Sequence, residues 1–307
     1  GLLAYVPLSS SQANVGLAWI DRQGTEHPGL DWVRTAVAGV TVPPRLSPKG
    51  DRLAIVDRGD VWVYNLADRT RLRVTSNGNS SLVVWTRDGK RVIYSVGTRN
   101  ARVGGTLMSA PADNSGPPTT LLADGKNYVP QIVTTDGKLI ARLADLDVPG
   151  STYVAISLDD EARQARPPVR VFESPYQVTG VQVSPDGRLL AYQSNEAGRS
   201  EIYVTPFPGP GPRTPISSSG GSAPRWGDNG ELFFVDGAGR LVAVDVQSSP
   251  AIRVGQAKAL FEGAIGGFDP APGGQRFVMP WPYVANAKPS ELQVVVNWVD
   301  DLRRRVP

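Results

Sequence analysis

The sequence predicts an all-β fold, a single β-propeller domain of four-stranded blades that spans residues 1–307. Three observations predict this fold. Glycine and proline, with 33 and 27 residues, make up about a fifth of the chain, which suits many tight turns better than helices. A short turn motif recurs along the chain, and a strand-like run of apolar residues follows each copy. A period of about 40–50 residues with strand-like units is typical of a propeller.

The clearest copy of the motif is "SPDGRLLAYQS", residues 184–194. The proline sets φ for a type I turn, the aspartate can bond its own backbone, and the glycine accepts a left-handed conformation. Five further segments place a turn former before a final glycine, at intervals of 39 to 50 residues. We therefore expect six equivalent hairpin turns, which end at Gly50, Gly89, Gly137, Gly187, Gly230 and Gly274.

Each turn joins the first strand of a blade to the second. Second strands are predicted at 53–56, 92–95, 139–142, 189–192, 232–235 and 277–279. Third strands are predicted at 61–66, 106–111, 152–158, 201–207, 241–246 and 292–298. A more polar fourth strand closes most units, as at 71–75, 169–173 and 258–262, so that five units are complete blades of four strands. Their polarity suits an outer blade edge, where charge discourages further pairing.

The two ends of the chain supply incomplete units. Residues 2–24 match a second and a third strand, with "TEHPGL" as a candidate fourth, and the last unit ends after its third strand. The 26 predicted strands fit seven blades with two incomplete ones, or six blades with spare strands. We expect strands from both termini to share one blade, because an open ring leaves two apolar blade faces uncovered. Seven blades are favoured over six.

The composition excludes several kinds of chemistry. The chain has no cysteine, which excludes disulfides, thiol nucleophiles and cysteine-ligated zinc. A net charge of +3 with one basic run, Arg303–Arg305, does not favour nucleic-acid binding. No apolar run reaches the roughly 18 residues of a membrane helix, so no membrane insertion is expected. No cofactor or metal site is predicted, since "DLDVPGS" at 145–151 lacks the alternating acids of a calcium loop.

We expect no enzymatic activity from this chain alone. The single histidine, His27, lies in a polar segment, and no G-x-S-x-G nucleophile motif occurs. Carboxylates pair at 57 and 60, 145 and 147, and 159 and 160, but their spacing does not place them in a common cleft. A propeller-fold enzyme that acts on polysaccharides is kept as an alternative.

Trp85 and Trp226 each precede a turn glycine by four residues, which predicts a shared role in packing between blades.

A propeller without catalytic residues is expected to bind a partner through its loops. The loops between second and third strands vary in length and charge, whereas the first hairpins are nearly uniform. These loops share one face with the connections between blades, so this face is the predicted site for a protein, a peptide or a small polar ligand. Its candidate residues are Arg99, Arg102, Asn127, Tyr128, Tyr176 and Arg199.

Several segments carry a resemblance to known propellers. "SPDGRLLAYQSNEAGRSEIYV" at 184–204 resembles the repeat of TolB-type, WD-like propellers. "LAWIDRQG" at 17–24, "YVTPFPGPG" at 203–211, "APRWGDNGELFF" at 223–234 and "VVVNWVDDLRRRVP" at 294–307 resemble the C-terminal propeller region of large bacterial serine/threonine protein kinases. In that family a cytoplasmic kinase and a membrane helix precede the blades. No kinase motif occurs in the present sequence.

The resemblance implies a non-catalytic sensor or scaffold propeller outside the cytoplasm, in the periplasm or at the cell surface. It also implies a tether through a membrane helix that would precede this segment, since the sequence opens directly on a strand-like "GLLAYV". The alternative is a free-standing periplasmic propeller of TolB type that interacts with other proteins.

Overall fold

The computed structural model describes residues 2–5, 15–33, 43–97, 105–144, 150–159, 161–209, 211–249, 251–263, 267–282 and 293–296. All regular secondary structure in these ranges is β-strand, as predicted. The same ranges contain no helix with the length and apolar character needed to span a membrane.

The strands follow in chain order. The first seven are β1 (Leu2–Tyr5), β2 (Val15–Asp21), β3 (Glu26–His27), β4 (Arg45–Leu46), β5 (Arg52–Asp57), β6 (Asp60–Asn65) and β7 (Thr70–Arg73). The next eight are β8 (Ser80–Trp85), β9 (Arg91–Val96), β10 (Thr106–Pro111), β11 (Thr119–Leu122), β12 (Tyr128–Val133), β13 (Lys138–Leu143), β14 (Ser151–Ser157) and β15 (Val169–Ser174). The last twelve are β16 (Val178–Val183), β17 (Leu189–Ser194), β18 (Glu201–Pro206), β19 (Thr214–Pro215), β20 (Gly221–Trp226), β21 (Glu231–Asp236), β22 (Arg240–Gln247), β23 (Arg253–Val254), β24 (Lys258–Glu262), β25 (Asp269–Pro270), β26 (Arg276–Pro282) and β27 (Gln293–Val296).

Six antiparallel sheets form the blades of a propeller. Blades 1 to 4 each take four successive strands, from β4–β7 to β16–β19. Blade 5 contains β20–β24, where the long strand β22 pairs with β23 near one end and with β24 near the other. Blade 6 closes the ring: β25 and β26 supply its first two strands, and β2 and β3 supply its last two. Strands from both ends of the chain therefore share one blade, as expected.

The preference for seven blades was wrong, and the alternative of six is correct. The segment predicted as the third strand of the last unit forms β27, which pairs with β1 in a separate two-stranded sheet. The third position of that blade is taken by β2, which pairs with β26 through seven residues. Because a blade has only one third position, β1 and β27 remain outside the ring. They are the spare strands of a six-blade count.

All six predicted turn glycines lie in equivalent first hairpins and have positive φ, from +62° at Gly274 to +85° at Gly230. Each of them donates its N–H to the carbonyl three residues earlier, as in a type I turn. A serine or threonine hydroxyl reinforces this turn in blades 1 to 4. In blade 4, the Ser184 hydroxyl donates to Asp186 at 2.5 Å and accepts the Leu189 N–H at 2.9 Å. The motif recurs because each copy closes the first hairpin of one blade.

The core consists of six hydrophobic clusters, one at each junction between neighbouring blades. Trp85 of blade 2 packs against blade 1, and its indole N–H donates to the Arg45 carbonyl at 2.9 Å. Trp226 of blade 5 packs against Leu189 and Val204 of blade 4. The predicted role of both tryptophans in packing between blades is confirmed.

Buried carboxylates connect third strands to the chain that leads into the next blade. Asp60, the first residue of β6, is 5% exposed and accepts the Gly78 N–H at 3.0 Å. Glu201, the first residue of β18, is 3% exposed and accepts the Gly220 N–H at 3.0 Å. Arg73 pairs with Asp60 and Arg199 pairs with Glu201, so the same arrangement of an arginine and a buried carboxylate stabilises two separate blade junctions.

Candidate binding site at the channel mouth

The first strands of the six blades surround a central channel. Each contacts the first strand of the next blade, and β25 contacts β4 to complete the circle. The end of the channel that carries the six turn glycines is called the turn face. The opposite end, which carries the loops between second and third strands, is called the loop face.

A cavity of about 440 Å³ opens at the turn face. This volume lies within the range of about 300–1,000 Å³ that is usual for ligand pockets. All six blades contribute to its wall, each with the residue that stands five positions before its turn glycine. These residues are Arg45, Val84, Ile132, Gln182, Arg225 and Asp269.

One side of the wall is charged. Blades 5, 6 and 1 bring Arg225, Asp269 and Arg45 together, so that one carboxylate lies between two guanidinium groups. The Asp269 Oδ1 atom is 3.5 Å from Arg45 Nη1 and 3.6 Å from Arg225 Nε. Its other oxygen, Oδ2, accepts the Leu46 N–H at 2.8 Å. The three side chains together carry one net positive charge.

Burial acts on all three of these groups. It lowers the pKa of Arg225 to about 9; the nearby charge of Arg45 acts in the same direction and Asp269 opposes both. Burial also lowers the pKa of Arg45, and the carboxylate of Asp269 opposes this change. The pKa of Asp269 is raised because burial outweighs the two arginines. The single carboxylate of Asp269 therefore does not neutralise both arginines, and the buried cluster keeps a net positive charge.

Two N–H donors in the wall have no hydrogen-bond partner among the described residues. Arg225 is 5% exposed, and its Nε is buried without a partner, although its Nη1 donates to the Pro224 carbonyl at 2.9 Å. The neighbouring indole N–H of Trp226 is also buried without a partner. Buried donors are normally paired, so each of these is a point where a ligand could be bound.

The opposite side of the wall is neutral. Gln131 donates its side-chain amide to the carbonyls of Val129 and Pro130, and Gln182 donates to the carbonyl of Val181 at 2.9 Å. At the rim, the exposed Arg87 donates to the Thr135 carbonyl. The cavity thus presents a cationic side, an amide side and an open rim.

The residues predicted to bind a partner belong to the loop face, not to this cavity. Arg99 and Arg102 lie outside the described residues. Asn127 is partly buried in the connection before β12. Tyr128 is 2% exposed, because β12 begins with it and its ring packs in the core. Its hydroxyl donates to Asp124 at 2.9 Å, so the side chain faces the interior rather than a partner.

Tyr176 lies in the connection before β16, and Arg199 lies in the loop between β17 and β18. Tyr176 is 44% exposed, next to Gln177, whose N–H donates to the Asn195 side chain of that loop at 3.1 Å. Arg199 pairs with the buried carboxylate of Glu201 at 2.5 Å, so part of its role is structural. Recognition at the loop face stays a prediction.

The charged residues of the channel were missed in the sequence, although a signal was present. Four of the six residues that stand five positions before the turn glycines are polar or charged, where an ordinary buried strand would carry apolar side chains. In blade 3 the register shifts between Pro130 and Ile132, which brings Gln131 into the wall as well. Aligning the repeats on their glycines would have selected Arg45, Gln182, Arg225 and Asp269.

Comparison with known proteins identifies the fold. No protein-family model matches the chain, and no curated protein sequence matches it. Among solved structures, a TolB protein from Agrobacterium tumefaciens has a TM-score of 0.60 at 17% identity and covers 88% of this chain and 99% of its own. A gluconolactonase from Xanthomonas campestris has a TM-score of 0.57 at 16% identity, covering 91% and 92%. TolB from Acinetobacter baumannii has a TM-score of 0.55 at 11% identity, covering 87% of this chain and 64% of its own. The structure therefore resembles TolB-type propellers in fold.

Proposed function

We propose that this chain is a non-catalytic propeller that binds a protein partner at the turn-face mouth of its central channel. The observation that carries the proposal is the cavity of about 440 Å³ whose wall is built by all six blades. A site to which every blade contributes is held by the closed ring, so its groups are preorganised for a ligand. Its mixture of arginines, amides and tryptophan is suited to a peptide segment, because each can pair with backbone or side-chain groups.

The biological setting is part of the proposal. We place the chain outside the cytoplasm, as a sensor or scaffold domain of a membrane-bound serine/threonine kinase, because four of its segments resemble that family. The likeness in fold to TolB supports the alternative of a free-standing propeller that interacts with envelope proteins. The complete reading frame distinguishes the two: an upstream kinase and membrane helix support the first, and a secretion signal alone supports the second.

Position-specific crosslinking tests where the partner binds. A photo-reactive amino acid at Thr135, on the rim of the cavity, is expected to crosslink one defined protein in cells of the source organism. The same group at Tyr176 tests the loop face, where this side chain is 44% exposed. The crosslinked protein should then bind the purified chain. Crosslinks from Tyr176 alone would reject the channel mouth and support the loop face.

The likeness in fold to a gluconolactonase raises a second candidate function to be tested, hydrolysis of a sugar lactone. In the cavity wall, Asp269 is buried between two arginines and accepts a backbone N–H, so its surroundings are those of an ion pair rather than a free base. We expect no turnover of gluconolactone or of polysaccharides by the purified chain. Turnover that is lost in Asp269→Asn would replace the binding proposal with an enzymatic one.

A further inference from the structure

We infer that the channel mouth holds a carboxylate group of an acidic peptide segment against the guanidinium groups of Arg225 and Arg45, beside Asp269. This inference rests on the proposed function and adds the chemistry of the ligand. It follows from the charges, the hydrogen-bond donors and the shape of the cavity.

The charge balance calls for one further anion. Asp269 is shared by two guanidinium groups, at 3.5 Å from Arg45 and 3.6 Å from Arg225, and neither distance is that of a short charged hydrogen bond. Its Oδ2 is already occupied by the Leu46 N–H. A single carboxylate brings the net charge of this group to zero, whereas a cation would increase the repulsion and a doubly charged phosphate would reverse it.

The donors match a carboxylate in kind. A guanidinium group presents its N–H groups in a rigid fork that fits the two oxygens of a carboxylate. The side chain of Arg225 is only 6% exposed, and within the part of the chain that the structure describes its Nε makes no hydrogen bond. A buried charged donor that has only a long ion-pair contact and makes no hydrogen bond is unfavourable for folding, which is typical of a site kept for binding.

The rim indicates that the carboxylate belongs to a peptide and not to a small free acid. The cavity is larger than a lone carboxylate requires, and Pro48, Pro270 and Pro272 line it near the turn face. These rings offer apolar contact to the chain on either side of the acidic residue. The side-chain carbonyl oxygens of the glutamines on the neutral side can accept N–H groups of its backbone.

Two synthetic peptides provide the probes: acetyl-Ala-Ala-Glu-Ala-Ala-amide and the same peptide with glutamine in place of glutamate. Calorimetry is expected to show that the wild-type chain binds the glutamate peptide at least about tenfold more tightly, in line with a charge-assisted hydrogen bond. Arg225→Gln and Arg45→Gln should each abolish this difference. Arg170→Gln, at a 70% exposed position on the outer strand β15, is the control and should keep it.

Stability separates a binding role for Arg225 from a structural one. If its purpose is to receive a ligand, Arg225→Gln removes buried positive charge and should leave the melting temperature of the free protein unchanged or higher. A structural partner of Asp269 would instead lower it. The glutamate peptide should raise the melting temperature of the wild type, and the glutamine peptide should not.

Peptide binding tests the carboxylate inference, and crosslinking from Thr135 tests the proposed function. Equal binding of the two peptides overturns the carboxylate inference, and so does displacement of the glutamate peptide by inorganic phosphate at lower concentrations than by acetate. If neither peptide binds while Thr135 still crosslinks a partner, the inference fails and the proposed function stands. If Thr135 crosslinks no partner, the proposed function fails independently of the peptides.

Discussion

At the scale of single residues, two glycines with the same backbone angle have different roles. Gly59 and Gly137 both have φ +79°. A Cβ at Gly137 would meet no atom of the described residues within 4 Å, whereas one at Gly59 would overlap the carbonyl group of Gly78. The Gly59 carbonyl also accepts the Ser80 N–H at 2.7 Å. Gly59 therefore permits close contact between the loop after β5 and the connection that leads into β8.

This pair allows conformational strain to be separated from steric overlap. Gly137→Ala should lower the free energy of unfolding by about 1–2 kcal/mol, the cost of the left-handed conformation alone. Gly59→Ala carries the same strain and must also displace backbone, so its loss should exceed about 3 kcal/mol. Urea denaturation of both variants measures the difference. Equal losses would mean that the backbone at Gly78 moves aside for the new side chain at no measurable cost.

At the scale of one element, the hydroxyl of Ser184 holds the first hairpin of blade 4. Ser184→Ala leaves the buried Leu189 N–H without its acceptor, and we expect a loss of about 1–3 kcal/mol in the free energy of unfolding. Ser184→Thr keeps the hydroxyl and should be tolerated, because Thr86 and Thr134 make the same bonds in blades 2 and 3. Thermal denaturation of the two variants compares them. A threonine variant as unstable as the alanine variant would show that the hydroxyl is not the cause.

Strand β6 begins with a buried carboxylate, Asp60, which should make the free energy of unfolding depend on pH. Burial acts to raise the pKa of Asp60, but hydrogen bonds from Gly78, Arg73 and Thr75 hold it below its usual value. A pKa lowered in the folded state stabilises the protein fully above the unfolded value, about 3.9. This stabilisation is lost as the pH falls through the lower folded value.

Asp60→Asn should therefore be less stable than the wild type at pH 7, by about 1.5–3 kcal/mol. Between pH 5 and pH 3 it should lose less additional stability than the wild type, because it has no carboxylate to protonate at this position. Urea denaturation at the three pH values provides the comparison. Parallel losses in both proteins would assign the acid sensitivity to other carboxylates.

At the scale of the whole molecule, the features that depend on neighbouring residues were predictable and those that depend on ring closure were not. The turn at Gly187 follows from a serine, an aspartate and a glycine within four residues, and the structure confirms it. The blade number was misjudged because Leu2–Tyr5 pairs with strand residues near the other end of the chain. The position of Arg225 could have been selected from the repeats, but its contact with Asp269 beside Arg45 could not, because only a closed ring brings these residues together.

Ring closure depends on β26, because this strand serves two blade junctions. Phe277 lies in the cluster shared with blade 5, where its ring centre is 5.0 Å from that of Phe233 in an edge-on contact. The next residue, Val278, belongs to the cluster shared with blade 1. Loss of β26 would uncover both junctions at once, and the effect should extend to every blade because each is stabilised by its neighbours.

Two truncations test this dependence. A chain that ends at Pro282 keeps β25 and β26 and all residues of the six described clusters, so it should still unfold in one cooperative transition. A chain that ends at Gly267 lacks both strands and should show no cooperative transition and rapid proteolysis in all blades. Phe277→Ala in the full chain opens a cavity without removing a strand. It should still unfold cooperatively and lose about 3–5 kcal/mol in the free energy of unfolding.

Cooperative unfolding of the Gly267 truncation would show that blades 1 to 5 are stable without closure. Loss of cooperativity in the Pro282 truncation would instead assign an essential role to the sheet of β1 and β27.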